Sequence, residues 1–195
     1  MRKVRIFEHT SLDGVIQPGA PDETSDYANG GWMAPYRSPG GADAIVEAQG
    51  ENFDLLLGRR TYDMWSKYWP TVKGGLFADK LNAATKYVAT HRPDGLSWGP
   101  VGNLGPDAIE GIRQLKTQDG PDLIVWGSAS VTSVLLEQGL VDELVLIVYP
   151  ILLGRGKRFF SDNAAPRELT LVSSKAFSSG RREQRATRLP HRPAF

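Results

Sequence analysis

Three short runs, FDLLLG at 53–58, KYVAT at 86–90 and LIVWG at 123–127, are apolar almost without a break. A strand that alternates apolar and polar residues can leave one face in water, but a continuous apolar run has to be covered on both. Helical patterns alternate with these runs: ADAIVEAQG at 42–50, RRTYDMWSKYW at 59–69 up to Pro70, LFADKLNAATK at 76–86, PDAIEGIRQLKTQ at 106–118, and a stretch after GSAS at 127–130. Strands that alternate with helices predict an α/β class with a sheet covered on both faces. VRIFEHT at 4–10 reads as a further strand closed by the Asp13-Gly14 turn, and DELVLIVYP at 142–150 as another. ELTLVSSKAF at 168–177 and REQRATRLP at 182–190 flank Ser178-Ser179-Gly180, which predicts a C-terminal antiparallel hairpin and so a mixed sheet.

With 195 residues the chain reads as one domain over 1–195. It has no cysteine, which removes disulfides, thiolate nucleophiles and zinc ribbons. His9, His91 and His191 are too scattered for a metal signature, so no metal is expected. No stretch reaches the roughly 20 apolar residues that span a bilayer, and MRKVRIFEHT has no apolar core of signal-peptide length. A cytoplasmic location, away from membranes, is the expectation. Residues 155–195 carry ten Lys/Arg against three Asp/Glu, so nucleic acid is one partner to weigh. However, RREQRATR at 181–188 has no interleaved aromatics to stack on bases, and its charges suit a guarded edge strand.

Residues 17–41 form a Pro/Gly-rich loop far longer than usual connections, and Tyr27, Trp32 and Tyr36 within it point to a binding loop or lid.

In open α/β sheets ligands sit beyond the carboxyl ends of the strands. LLLGRRTYDMW at 55–65 ends its strand in Gly58, which lets a ligand approach closely. Arg59 and Arg60 then stand at a helix N-terminus, where cations are disfavoured, so an anion is expected to compensate them. Thr90, His91 and Arg92 supply a hydroxyl, an imidazole and a guanidinium after the second run. After the third, Gly127, Ser128, Ala129, Ser130 and Val131 are small enough for backbone amides to reach a diphosphate. This is neither G-x-G-x-x-G nor a Walker loop.

Taken in order, SLDGVI at 11–16, LLLGRRTYDMW at 55–65, KYVATHRP at 86–93, LIVWGSASVTSVLL at 123–136 and DELVLIVYPILLGRGKRFF at 142–160 resemble the dihydrofolate reductase superfamily. The likeness is greatest to the C-terminal reductase domain of the bifunctional riboflavin-biosynthesis deaminase-reductase and its stand-alone relatives. The resemblance implies a three-layer fold with a central mixed sheet of about eight strands, and NADPH as cofactor. By position, Gly58, Arg59 and Thr61 would meet the adenosine 2′-phosphate and diphosphate, with Thr90, His91 and Arg92 flanking the adenosine phosphate. Gly127, Ser128, Ala129, Ser130 and Val131 would cradle the diphosphate and a ribose, and His9 and Ile16 would lie near the nicotinamide. The family's glycine pair with its cis peptide corresponds to Gly127-Ser128, and a cis bond is expected there.

The activity this implies is hydride transfer from NADPH to a small heterocyclic, aldehyde or imine substrate, with Trp32 and Tyr36 closing over it. Dihydrofolate reductase has an acidic residue on its first helix; here Asp43 and Glu47 fall near that position without its motif. Proton-donor candidates are therefore Asp43, Glu47, Tyr149 and Asp13, the last more naturally a turn former. Arg155, Lys157 and Arg158 are candidate phosphate donors, and the apolar stretch VYPILLG at 148–154 is the expected homodimer interface. Two further readings are an NADP(H)-binding module without turnover and nucleic-acid binding through the C-terminal hairpin.

Overall fold

A computed structural model of the chain describes residues 1–17, 27–37, 39–160 and 166–188. Residues 18–26 and 38 of the expected lid, and 189–190 of the expected last strand, lie outside the described residues. The strands are β1 (Val4–Ser11), β2 (Phe53–Gly58), β3 (Lys86–Ala89), β4 (Val101–Gly102), β5 (Asp122–Trp126), β6 (Glu143–Tyr149), β7 (Leu169–Ala176) and β8 (Arg182–Arg188). They form the expected mixed sheet of eight strands, in the order β4-β3-β2-β5-β1-β6-β8-β7. The helices are α1 (Pro39–Gln49), α2 (Arg59–Tyr68), α3 (Leu76–Ala83), α4 (Ala108–Thr117) and α5 (Ala129–Glu137). Internal contacts divide the chain into two compact units, residues 1–6 with 43–142 and residues 7–42 with 143–195.

In the first unit β2 is buried along its whole length and pairs in parallel with β3 and with β5. Leu55, Leu56, Leu57, Leu123, Ile124 and Val125 are all fully buried, which is why the sequence runs are continuous rather than alternating. Helix α4 starts at Ala108, two residues later than its sequence pattern, because Asp107 caps it: its Oδ1 accepts from the N–H groups of Ile109 (2.9 Å) and Glu110 (3.1 Å). Helix α1 begins at Pro39, three residues earlier than expected, since proline suits a first helical turn. At its other end the buried Arg5 donates to the Ala48 carbonyl (2.6 Å) and the Gln49 carbonyl (3.1 Å), satisfying the last turn.

A second buried arginine ties the start of the chain to β2. Arg2 pairs with the Asp54 carboxylate and its Nε donates to the Pro121 carbonyl (2.6 Å), while Asp54 Oδ1 accepts from the Thr85 N–H (3.2 Å). The buried Lys86 donates its Nζ to the carbonyls of Asn82 (2.6 Å) and Gly99 (3.1 Å), lies 4.3 Å from the Trp98 ring centre, and is pushed down to about 8 by desolvation.

In the second unit β8 pairs antiparallel with β6 and with β7. The hairpin turn falls where the sequence puts it, with Phe177 N–H donating to the Arg181 carbonyl and Gly180 N–H to the Phe177 carbonyl, each at 2.9 Å. Asp13 is a turn former. Its Oδ1 accepts from Ser11 Oγ (2.6 Å) and the Leu153 N–H (3.1 Å), and its Oδ2 from the Gly154 N–H (2.7 Å). The Ser11 hydroxyl, then these amides, hold its carboxyl down at about 2.

Removing one member of a buried ion pair strands the other charge, at a cost of about 3–5 kcal/mol. Asp54→Ala is therefore expected to lower the urea unfolding free energy by about that much, since Arg2 loses its carboxylate; a loss under about 1 kcal/mol would show that the pair is not a constraint.

Candidate functional site

Each unit carries its own group of candidate residues. In the first unit the ends of β2 and β5 are joined by hydroxyl hydrogen bonds. The Gly58 N–H donates to Ser128 Oγ (2.9 Å), and that hydroxyl donates to Thr61 Oγ1 (3.1 Å). Approach this close favours glycine at 58, because a Cβ there would stand 3.2 Å from Val131 Cγ2 and 3.5 Å from Ser128 Cβ. The link between β5 and α5 is made by two successive left-handed residues, Gly127 (φ 56°) and Ser128 (φ 52°, ψ 43°). For a residue with a side chain this costs about 1–2 kcal/mol, and such strain concentrates at functional sites.

The expected cis bond at Gly127-Ser128 is not formed: among the described residues the cis peptide is Gly99-Pro100, and the Gly127-Ser128 peptide is trans. The turn is made instead by the two left-handed residues. Its result is that the amides of Ala129, Ser130 and Val131 open the helix without intrahelical acceptors, beside the N-terminus of α2, whose cap is Gly58. Such paired N-termini attract an anion.

The cations divide differently from the sequence reading. Arg59 is engaged within the protein: Nε bonds Asp63 Oδ1 (2.8 Å), and Nη1 donates to the carbonyls of Arg92 and Asp94, the latter at 2.8 Å. It fastens the loop after β3 to the start of α2, and Asp63 supplies an intrahelical counter-charge. Arg60, His91 and Arg92 are exposed, and among the described residues their side chains have no hydrogen-bond or ion-pair partner. Thr90 Oγ1 accepts from the Arg92 N–H (3.0 Å) and so shapes the same loop.

In the second unit an aromatic cluster gathers around Tyr149, which is 3% exposed. Trp32 and Tyr36 meet its ring edge-on, with centres 5.0 and 5.5 Å away, and Trp32 Nε1 is anchored on the Gln17 carbonyl (2.7 Å). The two loop aromatics and the β6 tyrosine singled out from sequence thus form one group, with His9 and the buried Ile16 in the same unit. The Tyr149 hydroxyl lies 3.0 Å from His9 Nδ1 and 3.5 Å from Nη1 of the buried Arg181. A guanidinium can only donate, so the Tyr149 hydroxyl accepts from Arg181, and the direction of its bond with His9 Nδ1 is set by the His9 tautomer. Desolvation, then the Arg181 charge, push His9 down to about 4, and burial pushes the Tyr149 hydroxyl up.

Arg181 and Glu8 are the residues that sequence reasoning missed. Arg181 sits beside the exposed Arg182 in a charged run and nothing in the run distinguishes the two. Glu8 did leave a signal, since it falls in the alternating register of Val4 and Ile6. Its Oε1 accepts from the His9 N–H (3.0 Å), whereas Oε2 is buried and has no partner among the described residues. Burial pushes Glu8 up to about 8. Asp43 and Glu47, by contrast, lie on the exposed face of α1. Arg158 donates to the carbonyls of Asp13 and Gly154, while Arg155 and Lys157 are exposed. Within β8, Arg185 pairs with the buried Glu143 (2.5 Å). Among the described residues no helix is long and apolar enough to cross a membrane, and no cluster of metal-binding side chains occurs.

Residues 106–181 match the RibD C-terminal domain family. YyaP of Bacillus subtilis (strain 168), an uncharacterized protein, is 29% identical over 130 residues, covering 65% of this chain and 69% of that protein. A crystal structure of a protein assigned to riboflavin biosynthesis from Shewanella sp. PV-4 has the same fold: TM-score 0.72, 21% identity, 96% of this chain and 99% of that one. A diaminohydroxyphosphoribosylaminopyrimidine deaminase/5-amino-6-(5-phosphoribosylamino)uracil reductase from Thermotoga maritima matches with TM-score 0.62 and 16% identity, over 96% of this chain and 57% of that one. The likeness to riboflavin-biosynthesis reductases drawn from the five motifs is borne out, and so is the α/β fold.

Glu8 binds its proton more tightly folded than unfolded, so its contribution to stability is complete below about pH 4.5 and is lost as pH rises through about 8. Glu8→Gln is expected to remove that fall, raising the thermal midpoint above pH 8 relative to the parent and leaving it near parental at pH 4.5. Parallel midpoint–pH curves for the two proteins would contradict this.

Proposed function

We propose that this chain is an NADPH-dependent reductase acting on a small heterocyclic, aldehyde or imine substrate. The observation that carries the reading is the junction in which Gly58, Ser128 and Thr61 join two strand ends and leave the amides of Ala129–Val131 beside a second helix N-terminus. A Cβ at Gly58 would crowd Val131, the amides suit a diphosphate, and Arg60 and Arg92 are unpartnered cations in the same unit for a further phosphate. The residues fit the cofactor that the resemblance implies. The family match and the reductase fold support the same reading.

NADPH, when bound, supplies the hydride. The chain's own residues bind and orient, and must deliver a proton. Among Asp43, Glu47 and Tyr149, the tyrosine alone has a buried polar setting, with its hydroxyl between Arg181 and His9. We assign proton handling to it, with Trp32 and Tyr36 as the aromatic surface that meets a flat substrate. Arg59 acts by holding the loop of Arg92 in place, and Arg92 is the residue we assign to the 2′-phosphate.

A charged hydrogen bond is worth about 1.5–3 kcal/mol, so NADPH should bind at least tenfold more tightly than NADH, and Arg92→Ala should bring the two within about threefold. Fluorescence or calorimetric titration reads both affinities. NADPH binding no better than NADH in the parent protein would overturn the cofactor assignment.

A further inference from the structure

Helix α2 has one buried side chain, Tyr62. Its apolar stripe is covered only in part. Thr61, Met64, Trp65 and Tyr68 follow the i, i+3, i+4 spacing of one helix face, and Trp69 extends it in helical conformation (φ −61°, ψ −36°). Each of the five is half-buried or exposed, Tyr68 at 55%. The charges of the helix, Arg59, Arg60, Asp63 and Lys67, fall at positions outside this face. Large aromatic side chains left open to water at a helix face mark a binding surface.

This face is built rather than loose. The rings of Trp65, Tyr68 and Phe77 meet Trp69 edge-on, with centres 5.6, 5.0 and 5.2 Å away. Asn82 Nδ2 donates to the Trp69 carbonyl (3.0 Å), and Asn82 Oδ1 accepts from Trp98 Nε1 (2.9 Å), so the end of α2 is tied to α3 and to the loop after β3. The face is also continuous with the cofactor junction of the same unit. Thr61, which accepts from Ser128, stands one turn before Trp65, and Trp126, whose ring meets that of Phe77 (6.3 Å), directly precedes Gly127.

We infer that this face of α2 binds the substrate's ring, and that the substrate is a flat, uncharged, conjugated heterocycle with a ring carbonyl rather than a sugar phosphate. The inference rests on the reductase reading above, because hydride transfer sets the substrate next to the cofactor. Indole faces stack on a flat ring without regard to its sequence of atoms, and the face has no cation to repay a phosphate. The exposed Tyr68 hydroxyl has no partner among the described residues and supplies a donor for the carbonyl. This surface adds to that of Trp32 and Tyr36, which belongs to the second unit.

The test uses lumichrome, an uncharged tricyclic ring with two carbonyls, against uridine 5′-monophosphate, at pH 7. The five tryptophans give five indole N–H signals in spectra of the labelled full chain. Lumichrome should shift those of Trp65 and Trp69 and bind at least about tenfold more tightly than the nucleotide. Trp69→Ala should weaken lumichrome about tenfold with unchanged circular dichroism, and Trp65→Leu should weaken it in the same direction. If Trp69→Ala does not fold, the indole shifts of the parent decide. Titrations are run with and without NADPH, so a cofactor that fails to bind leaves the ring measurement standing. Indole shifts that spare Trp65 and Trp69, a nucleotide that binds as tightly as lumichrome, or no lumichrome binding up to its solubility would each overturn the inference.

Discussion

The N–H of Gly58 lies at the end of a strand buried along its whole length, and it must find an acceptor there. It finds the Ser128 hydroxyl, and this one bond has several structural consequences. It fixes the end of β2 against the start of α5, so closely that a side chain at 58 would crowd Val131, and with Ser128 in a left-handed conformation. The same hydroxyl donates a hydrogen bond to Thr61 Oγ1, so the first turn of α2 is fastened to the first turn of α5. Two helix N-termini beside one another repel cations and leave amides to be satisfied. An anion held there would relieve both. Arg59 is tolerated in that position because Asp63 and two carbonyls neutralise it, and its part is to order the loop that carries Arg92.

The second unit follows a different logic, in which burial sets protonation states. Tyr149 has a polar tip inside an aromatic shell, and Arg181 and His9 satisfy that tip. A neutral imidazole and an un-ionised tyrosine are the states that desolvation favours, and the buried Arg181 charge opposes protonation of His9. Glu8 next to His9 in β1 is protonated by the same burial.

Much of the fold was legible because it rests on local patterns. Continuous apolar runs became buried parallel strands, and Ser178-Ser179-Gly180 became a hairpin turn. The start of α4 was misplaced because a side chain, that of Asp107, decides it. The glycine and hydroxyl residues of the strand ends could be read because close approach needs small residues. Partnerships over long sequence distance could not be read: nothing local says that Arg59 will bind the 92–94 loop or that Arg181 will reach Tyr149. For the same reason the cis bond expected at Gly127-Ser128 failed, since a left-handed pair turns the chain there equally well.

Residue-resolved amide spectra of the labelled protein test directly whether the junction of β2 and β5 holds the phosphates of NADPH. On addition of NADPH, the amides of Gly58, Thr61, Ala129, Ser130 and Val131 should shift together with a common saturation point. If NADPH saturates the protein while those five amides stay in place, the junction is not the phosphate site and the account is wrong.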